Sequence, residues 1–124
     1  MGGGTSIANT KPKNDVLGQA LDEIMKKMLE LYGEKIFSII LYGSYARGDY
    51  DEESDVDIAL IVDAPLERDN ERKANSFISD MYLKYDKEFA LIDLDKTIFD
   101  KWVNTVPFYR NVRDEGRILW MKQV

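Results

Sequence analysis

Residues 43–57 read GSYARGDYDEESDVD and lie between two strongly apolar runs. The run before them spans residues 36–42, and the run after them spans residues 58–62. Both runs are short and rich in β-branched residues, which predicts two buried strands. The stretch between them then predicts a Gly-Ser turn, or the first turn of a helix, followed by a solvated acidic loop that leads into the second strand.

The pair Asp55 and Asp57 stands at the start of the second predicted strand. Side chains two residues apart on a strand project to the same side, so the two carboxylates would converge while Val56 points into the core. Mg²⁺ is usually held by one or two carboxylates together with substrate phosphates. The pattern therefore predicts a site for Mg²⁺ and a nucleotide; the alternative is a strand that begins with two solvated acids.

This arrangement carries a family resemblance. Gly43-Ser44, followed after a short loop by Ser54-Asp55-Val56-Asp57, resembles the signature of the nucleotidyltransferase superfamily typified by DNA polymerase beta. The form Gly-Ser-Tyr-Ala-Arg-Gly and the small size are most similar to the minimal nucleotidyltransferases, which include MntA-type antitoxins that pair with HEPN-domain toxins. Residues 107–116 (PFYRNVRDEG) resemble the C-terminal segment of these small proteins, and the likeness spans residues 36–120.

The resemblance implies both a fold and an activity. The fold is α/β (α+β), a small mixed β-sheet with helices packed on it. The activity is Mg²⁺-dependent transfer of a nucleoside monophosphate, AMP from ATP, to a hydroxyl with release of pyrophosphate. The acceptor would be a tyrosine of a partner HEPN toxin, with this chain as the antitoxin. Two Mg²⁺ ions would clamp the attacking and leaving oxygens.

A third carboxylate is expected, because the resemblance puts an acid on a neighbouring strand. Asp93 interrupts an otherwise apolar run, and a charge there is costly unless it is paired or binds a metal. We predict that Asp93 completes the second metal site and helps to deprotonate the acceptor hydroxyl. Two alternatives remain open: Asp95 is the third carboxylate, or Asp93 merely starts a turn with Asp95.

Gly43, Ser44 and Arg47 are the predicted nucleotide-binding residues. Glycine allows close backbone approach, and amides at a helix N-terminus favour phosphate oxygens. By resemblance, Gly43 and Ser44 would hold the β- and γ-phosphates, although a plain strand-to-helix turn would also favour these two residues. Arg47 could pair with a phosphate or with the acidic loop.

Two rival motifs are excluded by single residues. The glycine spacing from Gly43 to Gly48 is similar to that of a P-loop, but Asp49 stands where a P-loop requires lysine. The alternating acids of the loop mimic an EF-hand, but Ser54 occupies its glycine position and Leu60 its bidentate glutamate position.

Composition narrows the chemistry further. The chain of 124 residues has neither cysteine nor histidine, which excludes disulfides, zinc–thiolate sites and histidine-based catalysis. Its net charge of −6 opposes direct binding to long nucleic acids, which depends on basic residues. No apolar run approaches the ~20 residues needed to span a bilayer, so we expect no membrane association and a cytoplasmic location.

The remaining sequence predicts one domain behind a tail. Residues 1–14 lack periodicity and are expected to form a flexible N-terminal tail, and residues 15–124 a single nucleotidyltransferase domain. Asn14 or Asp15 could cap the first helix, and Gly33 would end it. Further helical and apolar segments give the order α-β-β-α-β-α-α, with either a short strand or a packed tail after Gly116.

Two other classes of function fit the same chain. It could be a catalytically silent module that neutralises its partner by contact alone. It could also modify a small molecule, as aminoglycoside nucleotidyltransferases do. Those enzymes usually carry an additional helical domain, for which 124 residues leave no room. A homodimer or a partner protein could supply the missing surface.

Overall fold

The computed structural model describes residues 12–123, with side chains from Val16 onward. The first helix, α1 (Pro12–Tyr32), is followed by a 3-10 turn at Gly33–Lys35. The predicted start is wrong: residues 12–14 of the predicted tail are helical, and Asn14 and Asp15 lie within the helix rather than capping it. Proline is favoured at the first helical position because its backbone angle is that of a helix. Most of the predicted tail, residues 1–11, lies outside the described residues.

The predicted elements form in the predicted order, and two are added: a one-turn helix at Ser44–Arg47, where the sequence predicts either a turn or the first turn of a helix, and a strand at the end. After α1, the elements in chain order are β1 (Ile36–Tyr42), α2 (Ser44–Arg47), β2 (Val56–Val62), α3 (Arg68–Tyr85), β3 (Phe89–Asp95), α4 (Lys96–Trp102), α5 (Pro107–Glu115) and β4 (Arg117–Met121). Pro107 stands at the start of α5, where its missing N–H is not needed. Of the two alternatives for the C-terminal segment, the strand is the one that forms.

The four strands form one mixed sheet in the order β3-β2-β1-β4. Strand β1 runs antiparallel to both β2 and β4, and β2 runs parallel to β3. A parallel pair needs a crossover connection, which α3 supplies. The apolar strands β1 and β2 therefore lie at the centre, and the more exposed β3 and β4 lie at the edges.

The side chains of β2 alternate between two cores. Val56, Ile58 and Leu60 belong to the larger core, together with buried side chains of α1 and α3. Ala59 and Ile61 face the other way and meet Phe99 of α4 and Val112 of α5 in a smaller core. We call these two sides the α1/α3 face and the α4/α5 face.

Among the helices of residues 12–123, none has the length and apolar character required of a transmembrane span.

Candidate active site

The end of β1 and the start of β2 bring the predicted site together. Because these strands are antiparallel, Tyr42 pairs with Asp57, and Gly43 and Ser44 follow beside it. Asp55 directly precedes β2 and is exposed, whereas Asp57 is half-buried on the α4/α5 face. The sequence prediction that Asp55, Asp57, Gly43 and Ser44 lie in one region therefore agrees with the arrangement of the strands.

Gly43 is held against the Asp57 carboxylate. Its backbone has φ 77° and ψ −158°, a conformation that is essentially restricted to glycine. A Cβ at this position would overlap the Asp57 carboxylate oxygen. The glycine therefore allows the chain to turn from β1 into α2 in direct contact with Asp57.

The electrostatics of Asp57 favour a cation. Burial raises the pKa of its carboxyl, the charge of Asp55 raises it further, and the Arg47 guanidinium partly offsets both. Burial also raises the pKa of the Tyr42 hydroxyl, with a smaller contribution from Asp57. The Asp57 carboxyl, whose ionisation is disfavoured, lies next to a second carboxylate, and the two offer hard oxygen donors that fit a Mg²⁺ ion.

Helix α2 is a single turn between two glycines. The amides of Ala46 and Arg47 donate hydrogen bonds to the Gly43 carbonyl at 3.0 and 3.1 Å. Gly48 ends the turn with φ 92°, in the left-handed region. The turn fixes Ser44 at its start and Arg47 at its end, so both follow directly from the glycine that contacts Asp57.

Arg47 pairs with the acidic loop, which is one of its two predicted partners. Its Nε donates to Asp49 Oδ2 at 3.2 Å, and a second nitrogen donates to Glu115 Oε1 of α5 at 3.4 Å. All three side chains are exposed. Exposed ion pairs contribute little to stability, so exchanging them for a phosphate would cost little.

The acidic loop itself is ordered by its own side chains. The Glu53 amide donates to Asp51 Oδ1 at 2.8 Å, and the Asp51 amide donates to Ser54 Oγ at 3.0 Å. Tyr50 stacks on Tyr45 with 4.1 Å between the ring centroids. This aromatic pair, which fixes the loop against α2, was not among the predicted site residues. The feature of the sequence that could have revealed it is a tyrosine on each side of the turn.

Asp93 does not join the pair. It lies on β3 opposite Leu60 and belongs to the face that carries Phe89 and Leu91, which is the α1/α3 face. There it lines a cavity with Tyr32 and contributes, after burial and Glu71, to raising the pKa of the Tyr32 hydroxyl. The expectation that Asp93 completes the metal site is therefore corrected: Asp57 faces the opposite side of the sheet.

Asp95, the alternative third carboxylate, has a structural role. It is the N-cap of α4, and its Oδ1 accepts a hydrogen bond from the Ile98 amide at 3.0 Å. Within the part of the chain that the structure describes, no three acidic side chains cluster as metal ligands. The described chain therefore offers two carboxylates at the site.

Comparisons with known proteins identify the family and agree with the fold. The nucleotidyltransferase domain family model matches residues 21–123. The chain therefore belongs to the nucleotidyltransferase domain family and is a nucleotidyltransferase. In Methanocaldococcus jannaschii, "Putative protein adenylyltransferase MJ0604" is 36% identical over 102 residues, which cover 82% of this chain and 96% of that protein. "Putative protein adenylyltransferase MJ0141" of the same organism is 36% identical over 91 residues, covering 73% of this chain and 92% of that protein.

Solved structures share the fold at lower sequence identity. A chain in a crystal structure of a mutant MntA-HpeT toxin-antitoxin matches with a TM-score of 0.56 and 22% identity, covering 82% of this chain and 73% of that chain. A chain in the tri-AMPylated Shewanella oneidensis HEPN toxin in complex with MNT antitoxin matches with a TM-score of 0.54 and 20% identity, covering 86% and 73%. The predicted fold class is thus confirmed.

Proposed function

We propose that this chain transfers AMP from Mg²⁺-bound ATP to a hydroxyl of a partner protein. The observation that carries the proposal is the contact between Gly43 and Asp57, which brings the backbone against the Asp57 carboxylate. Burial and the charge of Asp55 raise the pKa of that carboxyl. The names of the two Methanocaldococcus relatives, protein adenylyltransferases, support AMP as the group transferred.

In this reaction the chain binds and orients ATP. Asp55 and Asp57 would hold the Mg²⁺ that accompanies the triphosphate, and the bound ion would neutralise the phosphate charge near two carboxylates. Ser44 would donate its hydroxyl to a phosphate oxygen, and Arg47 would exchange its exposed carboxylate partners for phosphate. The acceptor oxygen then attacks the α-phosphorus, the bond to the β-phosphate oxygen breaks, and the hydroxyl proton is released with pyrophosphate as the leaving group.

We infer that the acceptor is a tyrosine hydroxyl of a HEPN-domain toxin and that this chain is its antitoxin. The support is the likeness of the fold to chains of MntA and HEPN toxin-antitoxin complexes, one of which contains a tri-AMPylated toxin. A second of these crystal structures contains AMP-PNP, an ATP analogue, which supports ATP as the donor. A HEPN protein encoded by a neighbouring reading frame would be the first acceptor to test.

The test is transfer of label from α-labelled ATP, with Mg²⁺, to that HEPN protein. Asp57→Asn should lower the transfer rate about a thousandfold, because a metal that stabilises transition-state charge contributes several kcal/mol. Asp93→Asn is the matched control, with the same change on the other face of the sheet, and should retain the wild-type rate. Transfer that is unaffected by Asp57→Asn, or that is absent with wild type, would contradict the proposed function.

Contact neutralisation is the second candidate, and the position of Asp93 is the observation that favours it. A site with two carboxylates can bind a nucleotide and still transfer AMP too slowly to matter. In that case Asp57→Asn would protect cells from the HEPN toxin as well as wild type does, and labelled AMP would not appear on the toxin. Loss of protection with Asp57→Asn, while binding is retained, would rule this candidate out.

A further inference from the structure

Strand β3 passes directly beside the carboxylate pair. Strands β2 and β3 are parallel and paired without a shift over Val56–Val62 and Phe89–Asp95, and in this register Asp57 lies opposite Ala90. Paired residues of neighbouring strands present their side chains on the same face, with about 4.8 Å between the strands. Ala90 is therefore the residue of β3 that shares a face and a level with Asp57.

Asp93 shares neither the face nor the level of Asp57. It is three residues beyond Ala90, which is about 10 Å along a strand, and an odd number of residues puts it on the opposite face. Its register partner is Leu60, a member of the larger core. A shift of β3 that brought Asp93 beside Asp57 would also put Leu91 on the other face of the sheet, so the register is strongly fixed.

Ala90 leaves room where a ligand would be needed. The residue is only partly buried, whereas its neighbour Phe89 is buried in the larger core. Its methyl group offers no oxygen donor. A pair of metals that clamps the attacking and the leaving oxygen of a displacement must be held about 3.5–4 Å apart by shared ligands, and two carboxylates alone are a small set for this.

We propose that Ala90 limits this chain to a single metal, the one that accompanies the nucleotide, and that a carboxylate at residue 90 would complete a second site. The inference rests on the proposed nucleotide and Mg²⁺ site and replaces the two-ion arrangement expected through Asp93.

Metal counting tests this without any acceptor. Mn²⁺ replaces Mg²⁺, and an ATP analogue with a methylene bridge between its α- and β-phosphates prevents transfer. The bound Mn²⁺ per protein–nucleotide complex is then measured by electron paramagnetic resonance of the free ion. Wild type should bind one ion and Ala90→Asp two. Ala90→Asn, of the same size without the charge, should bind one.

Asp93→Asn completes the test and does not depend on whether Ala90→Asp folds. It should bind one ion, as wild type does. Two ions in wild type, a loss of one ion in Asp93→Asn, or a single ion in an Ala90→Asp variant with native circular dichroism would each overturn the inference.

Transfer to the HEPN acceptor supplies a separate readout. Ala90→Asp should raise the rate about tenfold or more if the second metal is what wild type lacks. Absence of transfer in every variant would count against the proposed function, while the numbers of bound Mn²⁺ would still decide the role of Ala90.

Discussion

The two faces of the sheet are covered by very different amounts of protein. On the α1/α3 face, two long helices cover the strands, and sixteen of the described side chains form one buried cluster. On the α4/α5 face, two short helices leave a buried cluster of five of the described side chains. The carboxylates belong to the thinly covered face. A nucleotide and an acceptor need open space, so the face that contributes less to the core is the one available for chemistry.

The largest expected effect on stability comes from truncating a buried side chain on one face of the sheet or on the other. Leu60 and Ile61 are neighbours on β2, are 2% and 3% exposed, and point to opposite faces. Leu60→Ala should lower the free energy of unfolding by about 2–5 kcal/mol, and Ile61→Ala by an amount at the lower end of this range, because Ile61 packs in the smaller core. Urea denaturation measures both. An equal or larger loss of unfolding free energy for Ile61→Ala would contradict the prediction that the α4/α5 face contributes less to stability.

The second prediction concerns the glycine at the site. Gly43→Ala should lower the free energy of unfolding by about 1–3 kcal/mol, because its backbone conformation strains any other residue. It should also weaken Mg²⁺–ATP binding about tenfold, since the new methyl group displaces the Asp57 carboxylate. Gly33→Ala is the control: φ is 53° there and the space around it is open, so stability falls but affinity does not. Calorimetric titration distinguishes the two. Equal affinities for both variants would contradict the contact.

The third prediction separates the two aspartates of β3. Asp95→Ala should cost about 1 kcal/mol of stability by removing the N-cap of α4. Asp93→Ala should change stability by less, because the Asp93 side chain is exposed. Neither variant should alter the amount of bound Mn²⁺. Thermal denaturation measures the stability of the two variants, and metal counting measures the bound Mn²⁺. Loss of a metal ion from either variant would show that the substituted aspartate belongs to the metal site.

The smallest effect is a pH dependence of stability. The pKa of Asp57 is raised by folding, so the folded chain binds the proton more tightly than the unfolded chain. Stability without metal should therefore fall as the pH rises through the two pKa values, beginning near the ordinary value of 3.8. Asp57→Asn removes this cost and should be slightly more stable than wild type at pH 7; the gain is small because the group is partly exposed. Denaturation at pH 4 and pH 7 compares the free energies of unfolding of the variant and wild type. An Asp57→Asn variant that is less stable than wild type at pH 7 would contradict the prediction.

The pair at the start of β2 could be predicted because the information is local. Strand alternation puts Asp55 and Asp57 on one side, and the Gly-Ser turn identifies the end of the preceding strand. An antiparallel pair joined by a loop then brings the two segments together without further assumptions. Local patterns also predict the order of the other elements up to α5, and leave open only whether α2 is a turn or a helix.

The third carboxylate could not be predicted in this way, because the register between β2 and β3 is not local. A shift of one residue exchanges the faces of a strand, and β3 is apolar on both sides of Asp93. The register is fixed by the packing of Phe89 and Leu91 into the larger core beneath α1 and α3. Contacts between segments so far apart in the sequence are not visible in a local pattern. The prediction for Asp93 therefore has the wrong face of the sheet.

The contact between Gly43 and Asp57 also has a consequence at the level of the gene. Every amino acid other than glycine carries a Cβ, and at this position that atom overlaps the carboxylate. Each base change that replaces this glycine therefore disturbs the same carboxylate. In a population under selection for the reaction, variation at this codon would be limited to synonymous changes.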